Sequence, residues 1–307
     1  MKSKVLVIAG PTAVGKTKIA IETAKRLNGE IISADSMQIY KKMDIGTAKP
    51  TVEEMDGIPH HLLSVVEIGE KFSVVDFQKA AYTCIEDILS RGKVPIVCGG
   101  TGLYINSLVE EIDYGEVTSS EKLREELEKV AKEKGNAYLY EELKKVDKES
   151  AERIKLNDMK RIIRALEVYR VTGKTITEFQ RRSKEKEKKY DYIVVGLQME
   201  REKLYERINL RVEEMMKCGL LEEAKAVMEE MNANEKLTSF QAIGYKEFMP
   251  FFEGVCSLEE VAEQIKQESR RYAKRQITWF KRTPGLRWFD VSDGVSVIDK
   301  ILEFYTE

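Results

Sequence analysis

The stretch "GPTAVGKT", Gly10 to Thr17, constrains the fold of this chain more than any other part of it. Gly10, Gly15, Lys16 and Thr17 meet the spacing G-x-x-x-x-G-K-[ST], with the apolar run Val5-Leu6-Val7-Ile8-Ala9 before it and a helix-like stretch, Lys16 to Leu27, after it. Glycines let the backbone turn tightly so that its N–H groups converge on one anion, and the helix N-terminus adds partial positive charge. Pro11, Thr12, Ala13 and Val14 complete the backbone cradle, Lys16 supplies a full charge, and the Thr17 hydroxyl normally meets Mg²⁺. The bland alternative is a structural turn. A strand before the loop and a helix after it favour a phosphate grip of the nucleotide- and ATP-binding type.

The rest of the first third repeats the strand–helix alternation. Glu30 to Ala34 reads as a second strand, His61 to Ile68 as a third, and Val94 to Cys98 as another that ends in Gly99-Gly100-Thr101-Gly102. Ser73 caps a long helix that runs to Ser90 and stops at Gly92. Such a βαβ pattern implies a P-loop NTPase-like parallel sheet flanked by helices, with right-handed crossovers. Near Gly115 the character changes: from Ser119 to Lys189 there is only helical periodicity and charge, as in "EKLREELEKVAKEKG" and "NDMKRIIRALEVYRVTG". "RRSKEKEKK" reads as a solvated exit, and the strand Tyr192 to Leu197 then returns. The expected organisation is an α/β core over 1–114, an all-helical insertion over 115–190, and the core continued over 191–307 with long helices, a short strand from Leu286 to Val291 and a terminal helix.

Composition narrows the class. A net charge of -2 over 307 residues gives no global field toward nucleic acid or lipid, so such binding needs a local patch. Cys84, Cys98, Cys218 and Cys256 are scattered without a CxxC, which suggests neither zinc nor disulfides and suits a reducing compartment. The N-terminal apolar run is a strand rather than a signal peptide, and no stretch approaches membrane-spanning length. A cytoplasmic enzyme, monomeric and free of membrane, is expected.

What the loop lacks is informative. A hydrolysing protein of this type usually carries a strand ending in Asp that orients Mg²⁺ and water. Here Val94 to Cys98 ends in Gly-Gly-Thr instead. Asp35 follows the second strand, at the mouth of the sheet where open parallel sheets bind ligands. It reads either as a contact to a second substrate or as the cap of the "DSMQ" turn.

With "GPTAVGKT", "ISADSMQIYKKMDIGTAKP", "VCGGTGLY" and "YAKRQITWFKR" in one order, the chain resembles the bacterial tRNA dimethylallyltransferases, the IPP transferase or tRNA isopentenyltransferase family, from about residue 4 to 290. The resemblance implies that the loop holds the diphosphate of dimethylallyl diphosphate rather than ATP. It implies transfer of the prenyl group to N6 of the adenosine just 3′ of the anticodon, in tRNAs reading codons that start with U. Lys16, the loop N–H groups, Mg²⁺ on Thr17 and Arg207 in "YERINLR" would neutralise the departing diphosphate. Asp35 matches the aspartate that contacts the amine and is taken as its base; Ser36, Met37 and Gln38 match the adjoining tRNA-contacting segment; Thr101 matches a threonine near both substrates. Arg207 also reads as an ordinary solvated charge on an amphipathic helix.

For the tRNA anticodon stem-loop, Arg270 to Arg282 carries Lys274, Arg275 and Lys281 among six basic residues and no acid, which suits phosphate contacts. Trp279 and Phe280 could stack on bases, but at helical spacing with Ile277 they read as core. Further family segments are Gln241 to Lys246, with Gly244, and Lys160, Arg161 and Arg164 on one face of a helix. Arg124 matches a tRNA contact, or is a lone arginine on a charged helix. His60 and His61 are adjacent on a strand and point to opposite faces, so they read as structural; Cys98 reads as buried. The competing functions are a P-loop kinase of a nucleotide or small metabolite, a prenyltransferase of free adenine nucleotides and a P-loop RNA-binding ATPase; the helical insertion with its basic segments favours tRNA.

Overall fold

A computed structural model describes residues 2–114, 120–231, 237–294 and 296–307. The chain divides into two compact units, Met1–Val109 with Lys189–Glu307, and Glu110–Lys188. The composition change at Gly115 and the helical start at Ser119 lie outside the described residues.

In chain order the elements are β1 (Lys4–Ala9), α1 (Lys16–Leu27), β2 (Gly29–Ser33), α2 (Val52–Met55), β3 (His60–His61), α3 (Val74–Ser90), β4 (Val94–Gly99) and α4 (Gly102–Val109). The second unit supplies α5 (Glu121–Lys134), α6 (Asn136–Val146), α7 (Lys148–Arg153), α8 (Met159–Thr172) and α9 (Ile176–Glu185). The first unit resumes with β5 (Asp191–Gln198), α10 (Arg201–Lys217), α11 (Leu220–Glu230), α12 (Met249–Phe252), α13 (Leu258–Phe280), β6 (Arg287–Asp290) and α14 (Ser296–Thr306). Among the described residues the sheet has six strands in the order β3-β2-β4-β1-β5-β6, all parallel.

β1 lies at the centre and is covered on both faces, which is why it reads as a continuous apolar run. Val5, Val7 and Ala9 enter one core and Leu6 and Ile8 the other, as the two-residue period of a strand requires. All five are fully buried, and each large side chain contributes roughly 1.5–3 kcal/mol relative to exposure. α3 starts where Ser73 accepts from Asp76 N and the Asp76 carboxylate accepts from Ser73 N, a reciprocal cap. The third strand is shorter than its sequence suggests. β3 covers two residues, and Val66 makes only an isolated parallel bridge with Tyr40. Leu62 and Ser64 take φ of +61° and +51°, which interrupts the extended run.

The second unit has its own core, with Leu127, Leu139, Leu143, Ile162 and Leu166 facing inward. Its one fully buried carboxylate among the described residues, Glu167, accepts from Arg124 Nε at 2.9 Å, Arg164 Nη1 at 2.7 Å and Ser120 N at 2.8 Å. The stretch read as a solvated exit is still helical through Glu185, and Ser183 within it is buried, accepting from Asp113 N. Among the described residues no helix is long and apolar enough to cross a membrane.

The ends of β2 and β4 approach so closely that a methyl group on Gly99 would lie 2.2 Å from the Ala34 carbonyl oxygen. Backbone cannot swing aside as a side chain can. Gly99→Ala is therefore expected to destabilise the fold by about 1–3 kcal/mol through overpacking, whereas Gly69→Ala, with nothing within 4 Å of the added carbon, leaves the urea midpoint unchanged. Equal midpoints for the two variants in equilibrium unfolding would contradict this account.

Candidate active site

The loops that follow β1, β2 and β4 lie side by side because those strands are neighbours in the sheet. They open on a cavity of about 590 Å³. The Gly10 to Thr17 loop forms one wall. Its tight path needs φ of +62° at Ala13 and +101° at Gly15, the N-cap residue just before α1. The first turn of α1 has neither a side-chain cap nor an acidic residue, so its N–H dipoles are not offset by side-chain oxygen. Lys16 Nζ donates to Pro11 O at 2.8 Å. Burial in the cavity wall pushes its pKa down to about 8, against the raising influence of Cys98 and Asp35. Desolvation drives the Cys98 thiol the other way, up to about 11, and the side chain, read from sequence as buried, is only half-buried in the cavity lining.

α10 supplies arginines from above the loop. Arg207 sits over Gly15, 3.6 Å from where a methyl on that residue would lie. One turn further, Arg211 Nη1 donates to Thr12 Oγ1 at 3.3 Å, and burial lowers its pKa. Both line the cavity. Sequence reasoning missed Arg211, although its i, i+4 spacing from Arg207 puts the two on one helix face.

The opposite wall is built by the "DSMQ" turn and the Gly-Gly-Thr-Gly loop. Asp35 lines the cavity and its Oδ1 accepts from Met37 N at 2.9 Å and Gln38 N at 3.3 Å. Capping and cavity lining are thus combined in one carboxylate, whose second oxygen is not used by the turn. Thr101 Oγ1 accepts from Ser36 N at 2.9 Å and donates to Ser36 Oγ at 3.2 Å, which ties the two loops together. Gln38 is engaged with its own loop, donating to Thr47 O at 3.2 Å and Ala48 O at 3.1 Å, and Met37 packs against the core. The following segment is held by Glu223 of α11, whose carboxylate accepts from the backbone N–H groups of Asp44, Ile45 and Gly46 and from the Tyr245 hydroxyl.

α13 closes the cavity with Tyr272 and Gln276, neither of which sequence reasoning singled out. Burial raises the Tyr272 phenol well above its ordinary value, and its hydroxyl interacts with the Thr101 and Gln276 side chains. Gln276 is 5% exposed; Thr12 N donates to its Oε1 at 2.8 Å and its Nε2 donates to Gly100 O at 2.9 Å. Tyr272 and Gln276 lie one turn apart on the inward face, a pattern hidden by the basic residues between them. The exposed face carries Lys274 and Arg275, with Lys281 and Arg282 just past the helix end. Arg271 is paired with Glu268, Arg270 donates to Asn209 and Arg275 lies over the Tyr272 ring at 5.7 Å, so among the described residues the charge without a side-chain partner is on Lys274, Lys281 and Arg282.

Trp279 is a correction. Phe280 is core at 1% exposure, but Trp279 is 38% exposed, its indole resting on Gly102, where a methyl would lie 2.3 Å away. Two residues beyond Ile277 is some 200° around a helix, so the two cannot share a buried face.

The remaining expected contacts are dispersed. Arg124 and Arg164 converge on Glu167, while Arg161 is exposed and pairs with Asp158 at 3.3 Å; Lys160 is exposed nearby on α8. Gln241 ends a short 3-10 turn, Gly244 takes φ of +97°, and Lys246 lies 4.0 Å from the buried Glu247. His60 Nδ1 meets Ile58 O while His61 Nε2 meets Glu30 Oε2, each at 2.8 Å, so the two rings serve different partners.

Comparison with known proteins agrees over nearly the whole length. The family model described as IPP transferase matches residues 38–283. The tRNA dimethylallyltransferase of Caldanaerobacter subterraneus subsp. tengcongensis is 52% identical over 295 residues, 95% of this chain and 93% of that protein. That of Acetivibrio thermocellus is 50% identical over 303 residues, 98% and 96% of the two. Among solved structures, the tRNA isopentenylpyrophosphate transferase of Bacillus halodurans aligns with TM-score 0.72 at 44% identity, over 99% of this chain and 95% of that one. A eukaryotic dimethylallyltransferase acting on tRNA aligns with TM-score 0.81 at 34% identity, over 94% and 74%. The chain belongs to the IPP transferase family.

Proposed function

We propose that this chain transfers a dimethylallyl group from dimethylallyl diphosphate to N6 of the adenosine just 3′ of the anticodon in tRNAs reading codons that start with U, releasing diphosphate. One observation carries the reading: a single cavity has the cations Lys16, Arg207 and Arg211 against the phosphate loop and the Asp35 carboxylate on the facing turn. That is the charge separation an allylic transfer needs. The C1–O bond of the donor breaks as the N6–C1 bond forms; negative charge grows on the diphosphate, and the N6 proton passes to Asp35. Preorganised cations and N–H dipoles stabilise the first charge, and a positioned carboxylate accepts the proton.

Mg²⁺ suits the residues present. Thr17 offers a hard oxygen at the start of α1, and among the described residues no cluster of three or more His, Cys, Asp or Glu stands ready to cage an ion. Thr17 would be the protein group that holds the ion, and a site with so few protein donors suits magnesium, which binds with few protein ligands. Such an ion supplies further neutralisation of the leaving diphosphate. The exposed cations Lys274, Arg275 and Lys281 on and after α13, and Lys160 and Arg161 on α8, are the groups offered to RNA phosphates.

Prenyl transfer to an unmodified tRNA, followed by mapping of the modified base, tests the reading directly; a wild-type chain that modifies no adenosine overturns it. Asp35→Asn keeps the side-chain oxygen that accepts from Met37 N and Gln38 N but removes the basicity. Single-turnover transfer with both substrates saturating is expected to fall roughly a hundred- to ten-thousand-fold, with donor affinity unchanged. A rate within about threefold of wild type would remove the base role, given an effect of that expected size.

The depressed pKa of Lys16 has a signed consequence. With a pKa of about 8 the amine is partly neutral at pH 8, and a diphosphate beside it favours the ammonium and raises that value. Donor binding is therefore accompanied by proton uptake near and above pH 8, and affinity weakens as pH rises further. Titration calorimetry in buffers of different ionisation enthalpy measures the uptake, which vanishes in Lys16→Ala.

Replacing Lys274 and Arg275 with Ala is expected to lower tRNA affinity and to flatten its log–log salt dependence by up to about one unit per lost phosphate contact. Filter binding over a salt series checks this; an unchanged slope assigns both side chains to solvent.

A further inference from the structure

We propose that Gln276 is a positioning residue that sets the spacing between the two halves of the active site. One side-chain amide touches both halves. Its Oε1 accepts from Thr12 N in the phosphate loop at 2.8 Å, and its Nε2 donates to Gly100 O in the Gly-Gly-Thr-Gly loop at 2.9 Å. The first loop leads within four residues to Lys16; the second leads to Thr101, which holds Ser36 beside Asp35. The amide is thus a strut between the group that meets the leaving diphosphate and the group that meets the attacking amine.

Three features show that the strut is built into the fold. Gln276 is 5% exposed, so water does not compete for its bonds. Its orientation is determined by its partners, since Thr12 N can only donate and Gly100 O can only accept. Gly100 has no Cβ, and one placed there would lie 2.3 Å from Gln276 Nε2, so the close approach depends on glycine. Gln276 also sits one helical turn from Tyr272, whose hydroxyl interacts with it and with Thr101.

The chemical consequence follows from the functional reading above, on which this inference rests. Transfer requires the donor carbon and acceptor nitrogen within about 3–3.5 Å and in line, and a displacement of 1 Å costs on the order of a hundredfold in rate. Loosening the strut therefore lowers the rate of the bound complex far more than it lowers the affinity for either substrate.

Gln276→Glu keeps the acceptor for Thr12 N but turns a carboxylate toward Gly100 O. Gln276→Met keeps the length and removes both bonds. Gly100→Ala pushes on the amide from the other loop. The assay is transfer from dimethylallyl diphosphate to an unmodified anticodon stem-loop RNA, under single turnover, with separate Kd values for each substrate. Each variant is expected to lose roughly a hundredfold in the single-turnover rate while both Kd values stay within about threefold and the far-UV spectrum stays native. Because Gly100→Ala disturbs a contact that Gln276→Met already removes, the double variant is expected to lose little more than Gln276→Met alone. Rates within about threefold of wild type, or losses that appear wholly in the donor Kd, or multiplicative losses in the double variant, overturn the positioning role, since the expected loss is much larger and non-additive. If Gln276→Met fails to fold, the near-isosteric Gln276→Glu decides the matter. A wild-type chain inert with both substrates refutes the functional reading, whereas an active wild type with equally active variants refutes this inference alone.

Discussion

The close approach of the β2 and β4 ends is the constraint on which the site depends. With only hydrogen on Gly99, Ala34 comes near enough for Thr101 N to donate to its carbonyl oxygen at 3.1 Å. That bond brings the Thr101 hydroxyl to Ser36 N, which pins the turn that presents Asp35. The loops after β2 and β4 become one wall through this backbone bond and the short Thr101 hydroxyl. The phosphate loop on β1 joins the same assembly through Gln276, and its own turn is shaped by Gly10, where a Cβ would lie 2.9 Å from Leu197 O of β5. Geometry of this kind is stiff because packed backbone has few ways to relax.

Charge is distributed in the opposite sense at the cavity and in the supporting structure. Where a carboxylate is buried for structural reasons, cations gather round it. Glu30, 2% exposed, accepts from Lys93 and His61 and forms a forked pair with Arg91, which hold its pKa far below the usual carboxylate range. Glu167 has Arg124 and Arg164. In the cavity the order is reversed: among the described residues Lys16, Arg207 and Arg211 have no carboxylate within ion-pair distance, and burial lowers the pKa of both Lys16 and Arg211. Desolvated cations without counter-ions are costly to a fold that gains nothing from them. They are consistent with a polyanion as the natural counter-ion, which is what a diphosphate is.

Much of the fold was legible in the sequence because its signals are local. The Gly10 to Thr17 loop announced β1 and α1, Ser73 announced α3, and the apolar run at 192–197 announced β5. What escaped were features that rest on contacts between distant segments. Thr12 and Gln276 are separated by 264 positions, and no spacing rule connects them. Arg211 and Tyr272 were concealed by their neighbours: one as a second charge on a charged helix, the other within a run read only for its basicity. Leu62 and Ser64 look like strand residues by composition, but their left-handed backbone ends β3 at once. The error over Trp279 was of another kind, since helical rotation alone separates it from Ile277.

The basic residues expected to meet tRNA divide on physical grounds. Arg124 and Arg164 are committed to a fully buried carboxylate, so moving either to a phosphate would strand Glu167, at a cost of several kcal/mol for an uncompensated buried charge. Arg161, itself exposed, is paired with the half-exposed cap residue Asp158, a pairing worth about 0–1 kcal/mol, which a phosphate can readily displace. Lys274, Arg275, Lys281 and Arg282 are exposed near the C-terminal end of α13. Of these, Lys281 at the C-cap and Arg282 just past it also complement the negative end of the helix dipole, an effect of about 0.3–1 kcal/mol each, whereas Lys274 and Arg275 lie before the last turn. Dipole complementarity therefore accounts for the two at the helix end and not for Lys274 and Arg275, on a chain whose net charge is -2. The excess is what a local polyanion-binding surface requires, and its helix is the same one that turns Tyr272 and Gln276 into the cavity. One element therefore presents both faces that the proposed reaction uses: a solvent face for the RNA backbone and an inner face for the reacting centre.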